Sequence, residues 1–180
     1  PGDLKTFAYT FQVVPLNYEL AIDNVKPYVK AELQRQKIEG VLQTSDFAEN
    51  EKVEKMVTAR QDGRVLNVSW NHLAEGKQHA FVIENVVRAE NSSKVAISVD
   101  GAPLSIGRND EREIEIPALG DFKITNVKVE QNGNQNVVIQ FSDPLNEKQN
   151  LAGLIALSDV GTLDFEIRDN EIRVFPPVRQ

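Results

Sequence analysis

Cysteine is absent from this chain of 180 residues, which excludes disulfides, thiolate zinc sites, thiol nucleophiles and a cysteine-derived thioester within it. Histidine is nearly absent as well: His72 and His79 are the only two. Neither has a carboxylate partner at metal-ligand spacing, and no glycine-flanked serine elbow accompanies them, so neither a zinc site nor a Ser-His-Asp constellation is visible. No apolar run approaches the roughly 20 residues of a bilayer span, and the opening "PGDLKTF" has neither a basic nor an apolar signal region. Basic residues are in the minority, 20 against 27 acidic, for a formal net charge of −7. Such a surface repels a phosphate backbone, and no stretch interleaves Lys and Arg with aromatics, which argues against a nucleic-acid partner.

What is present is period-two alternation of β-branched and aromatic residues. It runs through "TFAYTFQVV", "RVLNVSW", "HAFVIENVV", "KVAISVDGAPLSI", "REIEIP", "DFKITNVKV", "NVVIQF", "TLDFEI" and "EIRVFP", and each stretch predicts a strand. Turn pairs at Asp62-Gly63, Asp100-Gly101, Asn132-Gly133-Asn134 and Asp169-Asn170 tolerate the positive φ of tight hairpins. Many short strands with frequent turns predict an all-β sandwich fold. Helical patterning is confined to "NVKPYVKAELQRQ", "DFAENEKVEKMVT" and "PLNEKQNL". In the second of these, Asp46 and Glu49 have capping-box spacing, and Val53, Met56 and Val57 fall on one face. The strand pattern breaks at "IPALGDF", where Pro117 and Gly120 predict a boundary between a domain over 1–119 and another over 120–180, packed end to end with little freedom.

One pattern occurs twice. Val41-Leu42-Gln43-Thr44-Ser45-Asp46 corresponds to Val138-Ile139-Gln140-Phe141-Ser142-Asp143. Each copy continues into a polar Glu/Lys-rich segment and an apolar return, at Met56-Val57 and Leu154-Ile155. "DGRVLNVSW" then matches "DNEIRVFPP". In the first copy, Phe47 takes the apolar position that Leu145 takes in the second. The first copy runs on through further strands. The second reaches Gln180 three residues after its matching strand, so the second sandwich is expected to be incomplete, the chain an excised piece of a longer one, and the open apolar face to lean on the first domain or on a second copy.

"VVIQFSDPLNEKQNLAGLIAL" followed by "NEIRVFPP" resembles the strand, Asp-Pro-Leu turn and Leu-x-Gly-Leu-Ile return of the amino-terminal Ig-like or macroglobulin-like domains of bacterial alpha-2-macroglobulins, especially long surface lipoproteins of the Bacteroidetes type. "EIEIPALGDFKI" is similar to the junction before that module. The resemblance implies two tandem macroglobulin-like or Ig-like β-sandwich domains, the second truncated, serving as scaffold in a cell-envelope protease trap. Its implied partners are neighbouring macroglobulin-like domains and, through the parent protein, target proteases. It implies no catalysis and no cofactor here, and any Cys-x-Glu-Gln thioester lies elsewhere in the parent. The alternative is an Ig-like binding module of a surface adhesin. Such a module calls for an exposed aromatic cluster, whereas only 7% of the residues are aromatic and most fit strand interiors.

The remaining candidates have structural explanations. Ser142-Asp143-Pro144 reads as a strand-ending turn in which Asp143 accepts following amides and Pro144 stops the ladder. His79 reads as a strand-end residue near the surface. Glu111, Glu113 and Glu115 form an acidic row that, with Asp110 and Asn109, could attract calcium, but they lack a calcium-loop pattern and read as a solvated sheet face. Asn67-Val68-Ser69 and Asn91-Ser92-Ser93 fit a glycosylation sequon that matters only in a eukaryotic secretory setting. Trp70 reads as a residue that closes a sandwich. No catalytic, cofactor-binding or metal residue is assigned.

Overall fold

The computed structural model describes residues 15–73, 75–131, 135–156 and 161–177. The strand expected over 6–14 and the turn expected at 132–134 lie outside them. The described strands are β1 (Tyr18–Pro27), β2 (Arg35–Thr44), β3 (Val57–Gln61), β4 (Arg64–Leu66), β5 (Val68–His72), β6 (Gln78–Val87), β7 (Ser93–Asp100), β8 (Asn109–Ile116), β9 (Ile124–Glu130), β10 (Asn136–Phe141), β11 (Asp164–Arg168) and β12 (Glu171–Phe175), with one short helix, α1 (Asn50–Glu54). They form three four-stranded antiparallel sheets, ordered β1-β2-β6-β5, β4-β3-β7-β8 and β11-β12-β10-β9.

The first two sheets share one core. Tyr18, Leu20, Ile38, Leu42, Phe81 and Ile83 from one meet Val57, Ala59, Leu66, Val95, Ile97, Val99 and Ile116 from the other, and Val53 and Met56 close one side. Alternation places these residues on one face of each strand. Gly40 allows a close approach: a Cβ there would lie 2.5 Å from Phe81 Cζ and 2.6 Å from the Ala21 carbonyl oxygen, so the Phe81 ring covers the bare backbone of its cross-strand partner.

The third sheet has a separate core of Leu151, Ile172 and Val174, packed with Val137, Ile139, Phe141, Leu145, Ile155, Leu163, Phe165 and Ile167. The segment between β10 and β11 supplies Leu145, Leu151, Ile155 and Leu163, which cover part of the apolar face. Toward β9 that face is open. Val127 and Val129, in register with Ile139 and Val137, are both 55% exposed, and Phe122, stacked on Phe141, is exposed beside them.

Several local expectations change. Residues 24–36 form no helix: Asn24–Pro27 end β1 and Arg35 opens β2. The inward positions of β2 include Gln36, Gly40 and Thr44, which dilute the apolar alternation until it no longer reads as a strand. Residues 144–151 form turns, with Asn146 Oδ1 accepting the Lys148 N–H. Residues 46–58 hold the five-residue α1 and run into β3 at Val57, but the N-cap is Glu49, and Asp46 instead accepts the Phe47 N–H. Phe47 stays 64% exposed, and Ala48 is the residue that enters the core. Asp62, Gly63 and Asp169 have positive φ at two-residue hairpins, whereas Gly101 has φ −77 and opens a 3-10 turn.

The repeated Ser-Asp pair ends a strand both times and makes the same clip. Ser45 donates its N–H to the Asn17 carbonyl (2.9 Å) and accepts the Asn17 N–H on Oγ (2.9 Å). Ser142 does the same with Lys123 (2.9 and 3.0 Å). The following hairpins differ in placement, since β3–β4 lies in the sheet opposite β2 while β11–β12 lies in the same sheet as β10.

Candidate functional site

The Ser142-Asp143 step is more than a turn. Arg88, which follows β6, is 1% exposed, and its guanidinium points at the strand end of the third sheet. Nη1 and Nη2 donate to Asp143 Oδ1 and Oδ2 at 2.8 and 3.0 Å, a bidentate pair. The remaining donors reach four backbone carbonyls: Pro117 (3.0 Å from Nε), Ala118 (2.8 Å from Nη2), Asp121 (3.2 Å from Nη2) and Ser142 (3.0 Å from Nη1). A buried guanidinium is tolerated only with this degree of satisfaction. Burial pushes the Asp143 carboxyl up, but the hydrogen bonds from Arg88 and Ser142 and the guanidinium charge outweigh it and hold the carboxyl below the usual aspartate value. Asp143 therefore binds a distant side chain where sequence reasoning gave it the following amides.

A second polar cluster lies beside the first. Asn24 and Asn170 exchange side-chain amide hydrogen bonds at 2.9 and 3.1 Å, and Asn170 Nδ2 also reaches the Val25 and Phe141 carbonyls. Gln140 donates to the carbonyl of Asp23, the unpaired residue of a bulge in β1. Bulges free a backbone group in this way. At the rim, Lys30 pairs with Glu147 and Asp169. The third sheet thus meets the first sandwich through polar strand ends. The sequence predicts that its apolar face leans on the first domain or on a second copy; the first domain leaves Val127 and Val129 open.

Little in the sequence marks this seam. Arg88 sits in no motif, and its partner is 55 residues away. The one available signal was a Ser-Asp step repeated at two strand ends.

His79 is fully buried, in contrast to the surface position expected for it. It shares the inward face of β6 with Phe81 and Ile83, as its spacing indicates. Its Nδ1 lies 2.8 Å from His72 Nδ1, and His72 Nε2 lies 3.0 Å from Glu54 in α1. A carboxylate partner absent from the local sequence is therefore supplied by tertiary structure. The two rings share a direct nitrogen–nitrogen hydrogen bond, and among the described residues no group of three His, Cys, Asp or Glu could hold a metal. Burial first, and then the neighbouring His72, hold His79 below the ordinary histidine value. Its Nε2 has no hydrogen-bond partner. Trp70 packs against the first core, stacked on His72 and tilted against Phe81.

Two members of the acidic row form ion pairs on an exposed face, Glu113 with Lys94 (2.6 Å) and Glu115 with Lys123 (2.7 Å), and beside them Asp110 pairs with Arg108 (2.6 Å). The Asn109 carbonyl oxygen of the side chain accepts the Gly101 N–H. These groups do not converge. Asn67 and Asn91 are both exposed.

Comparison of the sequence and structure with protein-family models, with curated proteins and with solved structures finds no match.

Proposed function

We propose that this chain is a rigid, non-catalytic scaffold segment of a bacterial cell-envelope protein resembling an alpha-2-macroglobulin protease trap. The observation that carries this reading is the seam: a buried arginine bound bidentately to Asp143 and to four carbonyls, beside a buried Asn24–Asn170 pair. A flexible tether between two modules needs none of this, and each such group costs free energy unless its orientation is fixed. The strand order also supports the reading. Sheets β1-β2-β6-β5 and β4-β3-β7-β8 follow the immunoglobulin pattern, and β9-β10-β12-β11 repeats the first of them. The stripe at Phe122, Val127 and Val129 lies where an opposing sheet would cover it in such a sandwich, which agrees with a second domain completed by other strands of a longer polypeptide.

Because the chain has no cysteine, Asn71→Cys and Arg168→Cys introduce two unique sites for spin labels, one on each unit. A scaffold gives a single narrow distance distribution that Arg88→Met broadens; a broad distribution in the otherwise unaltered chain defeats the rigid reading. The family is tested by the surrounding reading frame, where further sandwiches with a bait region or a Cys-x-Glu-Gln motif support a trap, and an array of one repeated sandwich supports an adhesin.

A further inference from the structure

Arg35 opens β2 and Arg64 opens β4, in different sheets, yet both guanidinium groups end on one residue. Arg35 Nη2 donates to Asn85 Oδ1 at 2.8 Å, and Arg64 Nη2 donates to the Asn85 carbonyl at 2.9 Å. Asn85 has φ +58, in the left-handed region, where the β2–β6 register slips between Gln36 and Ile38. Its N–H is bound to Tyr28 Oη at 3.0 Å. A bulge residue tied at three points fixes the two cations in advance of any ligand.

Neither arginine makes an ion pair among the described residues, in a chain with 27 acidic residues against 20 basic. The adjacent carboxylate, Glu84, is held by Asn67 Nδ2 (3.0 Å) and Ser69 Oγ (2.9 Å). Two cations gathered at one residue repel each other, and a shared anion replaces that repulsion with charge-assisted hydrogen bonds. Between the arginines is a hollow of about 350 Å³, walled by Val65 and Val87, which are 61% and 42% exposed.

We propose that Arg35, Arg64 and Asn85 form a binding site for a carboxylate carried on a small branched apolar group. The planar guanidinium forks and Asn85 Nδ2 receive the oxygens, and Val65 and Val87 receive the apolar part. This site is independent of the seam and goes beyond the scaffold role.

The test is a titration followed by amide and arginine side-chain NMR with three probes: isobutyrate, its neutral isostere isobutyramide, and inorganic phosphate. Isobutyrate is expected to give saturable shifts at Asn85, Arg35 and Arg64, with a dissociation constant of about 1–10 mM, in keeping with so few ligand atoms. Isobutyramide and phosphate are each expected to bind at least about tenfold more weakly, and Arg35→Gln and Arg64→Gln to weaken isobutyrate by a similar factor. Asn85→Gly keeps the left-handed backbone without strain and is expected to weaken binding with the fold intact. No saturable shift, equal binding of the amide, equal or tighter binding of phosphate, or full affinity in the variants each overturns the assignment.

Discussion

Replacing Arg88 with Met tests the seam at its most buried point. The substitution keeps most of the side-chain volume but removes the cation paired with Asp143 and the donors to four carbonyls. Breaking a buried ion pair from one side costs about 3–5 kcal/mol, and the orphaned carbonyls favour the upper part of that range. Asp143→Asn leaves the buried guanidinium without its counter-charge and replaces one of the two accepting oxygens by an amide donor, so a loss in the same range of about 3–5 kcal/mol is expected. The pH dependence follows from the depressed Asp143 carboxyl. Its contribution is complete above the unfolded-state aspartate value and is lost as pH falls through the folded one, so the deficit of Asp143→Asn relative to the parent shrinks in acid. Urea unfolding at neutral pH measures both variants, with Trp70 fluorescence reporting the first sandwich and far-UV circular dichroism reporting all three sheets. A loss below about 1 kcal/mol for Arg88→Met, the range of ordinary surface changes, would refute the seam as a stabilising element.

Acidification is expected to destabilise the first sandwich through His79. Its folded pKa lies below the ordinary value of 6.5, so the unfolded chain takes up the proton first and stability falls below that pH by up to about 1.4 kcal/mol per pH unit. His79→Leu should flatten that slope in urea midpoints between neutral and mildly acidic pH; an unchanged slope assigns it elsewhere. Gly40→Ala is expected to cost about 1–3 kcal/mol by overpacking against Phe81 and the Ala21 carbonyl, read as a lower thermal midpoint. Asn24→Ala and Asn170→Ala should each cost about 1–3 kcal/mol by leaving a buried amide unpaired. A double-mutant cycle on this pair should show strong coupling, and additive losses would mean the two amides do not act together.

Strands were legible wherever β-branched and aromatic residues alternate, as in β6, β7 and β10, because one face of each carries an apolar run: Phe81 and Ile83, then Val95, Ile97 and Val99, then Val137, Ile139 and Phe141. β1 and β2 were not. Asp23 breaks the period of β1 as a bulge, and Gln36, Gly40 and Thr44 occupy inward positions of β2 that usually carry apolar side chains. The Ser-Asp repeat was visible as a strand terminator, but the partner of Asp143 was not, since nothing around Arg88 distinguishes a buried guanidinium from a solvated one. His79 illustrates the same limit. Its face was readable from spacing with Phe81 and Ile83, while its depth was set by His72 across the strand pair and by Glu54 on α1. Contacts between distant segments decide burial of polar groups, and local pattern does not encode them.

The position of Arg88 also has a mechanical consequence. A pull on the third sheet reaches the first sandwich through the connecting segment at Pro117–Phe122, through the Asn24–Asn170 and Gln140–Asp23 contacts on the edge strand β1, and through the guanidinium that grips Ala118, Asp121 and Asp143 together. The last route delivers tension directly into β6, an inner strand hydrogen-bonded on both sides to β2 and β5. Load carried by Arg88 therefore has to shear two ladders, where load carried by β1 alone would peel one edge.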